Sequence, residues 1–155
     1  MILATRHIGI VVQDLDKSVH FWRDVMGLKV AIDFWQTGEY IDTVQKLSGV
    51  NLHMAKLTAP DGSMIELLKD EAHPTPPPER NELCDQGIRH IAFNVPDIEA
   101  AWHTLRDHGC ETLSAPTDSP DGNVRLFFVR DPEGNLLELV QEQRPSVHSS
   151  GRKQS

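Results

Sequence analysis

The chain has 155 residues, enough for one compact domain or for two half-domains too small to stand alone. Its 15 Lys and Arg against 23 Asp and Glu leave a formal net charge of −8, so it lacks the basic surface that phosphate backbones or anionic lipids attract, and nucleic acid and membrane are not expected as partners. No apolar run approaches the roughly 18 residues of a membrane span, the MILATRHIGIVV start has no basic leader region, and Cys84 and Cys110 form no CxxC pattern. A soluble cytoplasmic protein with reduced thiols is expected.

The first predicted element is a strand over residues 6–12, in which Ile8, Ile10 and Val12 share one face and His7, Gly9 and Val11 the other. The apolar face suits packing under a helix. Gly9 leaves room beside the imidazole on the opposite face. A helix follows at once, with Leu15, Val19, Trp22 and Met26 at helical spacing, Asp14 or Asp16 as N-cap and Gly27 just past its end. A second strand, Leu28 to Trp35, leads through Gly38 to YIDTVQKL, where Tyr40, Val44 and Leu47 predict a short extra helix. Strands near Val50 to Leu57 and Met64 to Lys69 are joined by the tight-turn sequence Ala59-Pro60-Asp61-Gly62.

Residues 71–86, with Pro74, Pro76, Pro77 and Pro78, read as a linker because proline cannot donate to a backbone ladder. Beyond it the pattern starts again. RHIAFNVPDIEAAWHTLRD, Arg89 to Asp107, lies over RHIGIVVQDLDKSVHFWRD, Arg6 to Asp24, matching His90 to His7 and Ala92 to Gly9. The second helix carries Ile98, Ala101, Trp102 and Leu105, with Asp97 as N-cap and Gly109 at its end, and has no counterpart to YIDTVQKL after it. Strands over Val124 to Arg130 and Leu136 to Glu142 are joined by Asp131-Pro132-Glu133-Gly134. There PEGNLLELV lies over PDGSMIELL and matches Glu138 to Glu66. The expected organisation is a single domain over 1–143, built of a first module at 5–70 and a second at 87–143, with a disordered tail at 144–155.

Each half thus opens on a histidine and closes on a glutamate. In a duplicated fold with an approximate two-fold axis, His7, Glu66, His90 and Glu138 would share one site. Each glutamate is flanked by apolar residues in its strand, and a carboxylate there is costly to bury without a partner. Two neutral imidazoles and two carboxylates around one divalent ion supply that partner, and the mixed nitrogen and oxygen set suits Zn²⁺, Ni²⁺, Co²⁺, Mn²⁺ or Fe²⁺ alike. His20 and His103 also repeat but belong to helix surfaces. His53 is held in reserve as a cavity group. No G-x-S-x-G, H-E-x-x-H, G-x-G-x-x-G or P-loop is present, which disfavours nucleophilic and dinucleotide chemistry.

RHIGIVVQDLDKSVHFWRDVMGLKV, RHIAFNVPDIEAAWHTL and DPEGNLLELVQ resemble the vicinal oxygen chelate superfamily, which includes glyoxalase I, methylmalonyl-CoA epimerase, extradiol dioxygenases, fosfomycin-resistance enzymes and bleomycin-binding proteins. The resemblance spans about residues 5–143. It implies an α+β fold of two paired βαβββ modules, a cupped and incomplete eight-stranded barrel around a divalent metal whose ligands map onto His7, Glu66, His90 and Glu138. The glutathione-contacting arginine and asparagine of bacterial glyoxalase I are replaced by Val11 and Asp70.

The expected function is that of a metal-dependent isomerase or lyase of the epimerase and glyoxalase type. Its substrate would be a small molecule with adjacent oxygens, such as an acyl thioester or hydroxyketone. Glu138 or Glu66 would take the proton beside the carbonyl. The alternatives are an extradiol-type dioxygenase and a drug-binding protein without turnover. The expected assembly is a homodimer, with the two halves meeting either within one chain or across two.

Overall fold

The computed structural model describes residues 1–76 and 82–143. The described residues fall into two compact units, one of residues 1–85 with 131–135 and the other of 86–130 with the chain from Leu136 onward. Each unit contains one mixed four-stranded sheet, and the fold is α+β.

In the first unit the strands are β1 (Ile8–Val11), β2 (Lys29–Thr37), β3 (Asn51–Thr58) and β4 (Met64–Asp70). Their order is β1-β4-β3-β2, with β1 parallel to β4 and the other pairs antiparallel. The parallel pair requires a crossover, and α1 (Leu15–His20) begins it. Asp14 caps α1, its Oδ1 accepting from the Lys17 N–H at 3.0 Å. The helix then widens into a π turn over Phe21–Val25, in which the Met26 N–H reaches the Phe21 carbonyl at 3.0 Å.

That extra residue per turn resets the buried stripe. A plain 3.6-residue period predicts Trp22 inside and says nothing for Phe21, whereas both are buried, with Val19 and Met26 only half-buried. Gly27 ends the segment at φ +79°, where a Cβ is strained. Together with Val12 and Leu15, these side chains form the buried core with Ala55, Leu57, Ile65 and Leu67. Each large apolar side chain so buried contributes on the order of 1.5–3 kcal/mol.

The opposite face of the same sheet is not bare. Register sets Met54 against Leu68 and Phe34 against Met54. Ile41 from α2 (Glu39–Gln45) packs there with Val50, Leu52, Met54, Phe34 and Leu68. The predicted stripe of Tyr40, Val44 and Leu47 is exposed instead, and Ile41 is the apolar residue of this short helix that is buried.

The second unit repeats the plan with β5 (His90–Asn94), α3 (Ile98–Asp107), β6 (Thr117–Asp118), β7 (Val124–Arg130) and β8 (Leu136–Glu142), in the order β5-β8-β7-β6. β5 runs parallel to β8 and the remaining pairs are antiparallel. Asp97 Oδ1 accepts from the Ala100 N–H at 3.0 Å, as Asp14 does for α1. Ile98 and Leu105 of α3 are buried, as are Phe127, Val129, Leu137 and Leu139 of the sheet. The two hairpin turns are built alike. Ala59 N–H donates to Ser63 and Gly62 N–H to Ala59, matched by Asp131 to Asn135 and Gly134 to Asp131.

Residues 71–76 and 82–86 contain no helix or strand, as the prolines predict, whereas Pro77, Pro78 and the tail over 144–155 lie outside the described residues. Cys84 and Cys110 are unbridged. Among the described residues no helix is long and apolar enough to cross a membrane.

Candidate metal and proton-transfer site

Within the first unit, His7 stands at the entrance to β1 and Glu66 at the middle of β4. The parallel register sets Gly9 directly beside Glu66, so the histidine two residues earlier has the same facing. His7 Nε2 lies 3.0 Å from Glu66 Oε2. A Cβ on Gly9 would meet Leu68 Cδ1 at 3.3 Å and Glu66 Oε2 at 3.9 Å, so a side chain here would crowd Leu68 beside the pair. Within the second unit the register sets Ala92 beside Glu138, and His90 Nε2 lies 3.1 Å from Glu138 Oε2. Two equivalent pairs result, made by the same atoms at the same spacing.

These separations are hydrogen-bond lengths, and the facing atoms, an imidazole nitrogen and a carboxylate oxygen, are donors of the kind a divalent ion takes. His7 Nδ1 is buried and has no hydrogen-bond partner among the described residues. Each pair supplies two donors, and among the described residues no three His, Cys, Asp or Glu side chains gather in a group able to hold a metal.

One residue that pattern reading missed completes the first pair. Lys56 on β3 is directly opposite Glu66, and its Nζ lies 2.9 Å from Glu66 Oε1. The Glu66 carboxylate therefore gives one oxygen to an ammonium and the other to an imidazole. This corrects the expectation that burial of Glu66 calls for a metal: Lys56 already compensates the charge. In the second unit the matching register position is Phe128, opposite Glu138. Its ring meets His90 edge-on at 5.4 Å. The signal for Lys56 was a charged residue between Ala55 and Leu57 in a half-buried strand, but only pairing reveals which carboxylate it faces.

His53, held in reserve as a cavity group, belongs to the other face of the sheet. Alternation along β3 groups it with the buried Ala55 and Leu57 and opposes it to Lys56. There its ring stacks on Trp35 at 4.3 Å, and Nε2 lies 2.7 Å from Asp33 Oδ1. His20 is exposed and pairs with Asp24 one helical turn on, and His103 is exposed beside Trp102. Neither joins the His-Glu pairs.

Asp70 also has work within its own unit. Oδ1 accepts from the Asn51 N–H at 3.1 Å and the Ala72 N–H at 2.9 Å, and Oδ2 faces His73 Nδ1 at 2.7 Å. Burial alone would raise the Asp70 carboxyl, but the His73 contact and the two backbone donors outweigh it and hold the group below its ordinary value. A carboxyl depressed in the folded state adds stability above its unfolded value near 3.9 and loses that stability as pH falls through the lower folded value. Asp70→Ala is therefore expected to cost about 1–3 kcal/mol at pH 7 by removing the charged acceptor of two backbone N–H groups and of His73. In urea melts across pH, the gap to the wild type should narrow below about pH 4. A gap independent of pH would show that the charge plays no part.

Residues 5–139 match the Glyoxalase/Bleomycin resistance protein/Dioxygenase superfamily. A 2-epi-5-epi-valiolone epimerase from Actinomyces sp. is 30% identical over 148 residues, covering 89% of this chain and 79% of its own. A probable lactoylglutathione lyase from Synechocystis sp. is 28% identical, covering 87% of this chain and 92% of its own. Among solved structures, a glyoxalase family protein from Bacillus cereus superposes with a TM-score of 0.85 at 28% identity, over 92% of this chain and 95% of its own. The match across nearly all of both units, together with two β-α-β-β-β sheets each ending in a His-Glu pair, places the chain in the glyoxalase/bleomycin resistance protein/dioxygenase superfamily, the vicinal oxygen chelate group.

Proposed function

We propose that this protein is a divalent-metal-dependent isomerase or lyase that moves a proton on the carbon beside a carbonyl. The observation that carries the reading is the repetition of one His Nε2 to Glu Oε2 pair at 3.0 and 3.1 Å on matching strands of the two units. His7, Glu66, His90 and Glu138 are the four residues that would hold one ion, of the Zn²⁺, Ni²⁺, Co²⁺, Mn²⁺ or Fe²⁺ class. Such an ion, when bound, stabilises the negative charge that develops on a carbonyl oxygen as the adjacent C–H bond breaks. The histidines would serve as ligands only. A glutamate within hydrogen-bond reach of the carbon takes the proton and returns it, to the same face or the opposite one.

The named relatives include a 2-epi-5-epi-valiolone epimerase and a probable lactoylglutathione lyase, names that support an isomerase or lyase reading. The substrate class is a small molecule with adjacent oxygens, such as an acyl thioester or hydroxyketone. Val11 and the fully engaged Asp70 stand at the positions of the glutathione contacts, which supports a substrate other than a glutathione adduct. A second copy of the chain is the proposed partner, supported by the edge strand β2 with Val30, Ile32 and Trp35 exposed.

The test follows candidate substrates by NMR in D₂O beside an oxygen electrode. Solvent deuterium is expected to enter the carbon beside the carbonyl under strict anaerobiosis, and with redox-inert Zn²⁺ as well as with Co²⁺ or Ni²⁺. Oxygen uptake matched to product, without exchange at that carbon, would overturn the isomerase reading in favour of a dioxygenase.

A further inference from the structure

The two His-Glu pairs are alike in their own geometry and unlike in what stands behind the carboxylate. On the Glu66 side, β3 presents Lys56 at the directly opposed position, and its ammonium meets Oε1 at 2.9 Å while Oε2 faces His7. Lys56 is itself largely buried, with 16% of its side chain exposed, so its attraction to the carboxylate is screened far less than that of a surface pair. On the Glu138 side, β7 presents Phe128 at the same register position, and among the described residues no lysine or arginine meets the Glu138 carboxylate. The duplication preserved the His-Glu pair and changed its neighbours, Lys56 to Phe128 on one side and Gly9 to Ala92 on the other.

An outer partner that takes one oxygen of a carboxylate ligand fixes which oxygen remains for the ion and restrains rotation of the group. A phenylalanine at that register position has no charge or donor with which to do either. We propose that Lys56 is a positioning residue that divides the labour between the two glutamates: it holds Glu66 as a fixed ligand, and its absence beside Glu138 leaves that carboxylate free to swing to the substrate carbon as the base. This assignment rests on the metal-site reading above and decides a point that reading leaves open, namely which glutamate moves. Lys56 does not itself touch the reacting atoms.

The experiment titrates metal-free protein with Co²⁺, following affinity by calorimetry and coordination by the visible d–d bands. Lys56→Met, close in size and neutral, should weaken binding by about 10–100-fold and change the band positions, as loss of an outer-shell partner does at other metal sites. Lys56→Arg should recover affinity to within about threefold, because it restores a cation to Oε1. Lys69→Met removes a lysine from the neighbouring strand, where it pairs with Glu71 at 2.8 Å, and should match the wild type.

Lys56→Gln serves in place of Lys56→Met should the latter aggregate. A wild-type protein that takes up no Co²⁺ overturns the metal reading and this role with it. Wild-type binding with unchanged affinity and spectrum in Lys56→Met overturns the role of Lys56 alone. Recovery failing in Lys56→Arg although Lys56→Met is folded and weak would also count against charge as the means of positioning.

Discussion

His90→Ala is expected to abolish stoichiometric metal binding, as is His7→Ala. Purified wild-type protein should carry about one divalent ion per chain, and each replacement should lower affinity by more than about 100-fold, beyond what loss of an outer-shell partner costs. The expectation follows from the proposed ligand set, in which either substitution would remove one of two imidazoles. His53→Ala is the matched control. It removes a histidine from the same sheet, but from the face that Ala55 and Leu57 share, and metal content should not change. Elemental analysis of the three variants beside the wild type reads the result directly. Metal content that survives both His7→Ala and His90→Ala sinks the ligand assignment, and so does a loss in His53→Ala equal to theirs.

The second large effect is expected at Glu138. Glu138→Gln keeps an oxygen donor at the same place but removes the carboxylate that a general base requires, so turnover should fall by about 10²–10⁴ while metal affinity falls much less. Glu66→Gln should behave in the opposite sense. Lys56 is placed to hold Glu66 through Oε1, and an amide there meets the ammonium with either a weaker acceptor or an N–H₂ donor, so metal binding should suffer first and turnover only through it. Paired measurements of Co²⁺ affinity and of deuterium exchange at saturating metal separate the two. Equal losses of both quantities in Glu138→Gln would reduce it to a ligand, and would pass the role of base to another group.

Much of this fold was legible because duplication makes local patterns testable against each other within one chain. Alternation in residues 6–12 and 90–94, the caps Asp14 and Asp97, the glycines ending each helical segment, and the twin hairpin turns all reflect short-range physics: strand parity, satisfied first-turn N–H groups and positive φ. The same regularity singled out His7, Glu66, His90 and Glu138, and the extra helix α2 in the first half. What periodicity cannot express is a change of period, which is why Phe21 escaped it. A single π turn shifts the buried stripe by one residue, and nothing in the local composition of HFWRDV announces where that turn will open.

Pairing across strands lies one level further from the sequence. Parity within β3 separates His53 from Lys56, but only the register of β3 against β4 says that Lys56, and not a residue two positions away, meets Glu66. Register is set by turns and by the burial of whole faces, so it is a property of the assembled sheet. The sequence by itself determined a repeated module, its strand faces and the matched positions of His7 with His90 and of Glu66 with Glu138, because these follow from spacing along the chain. Only the tertiary structure decided that His7 meets Glu66 and His90 meets Glu138, and that Lys56 stands on Glu66 while Phe128 is in register with Glu138, because opposed residues on neighbouring strands are distant in sequence and brought together by the fold alone.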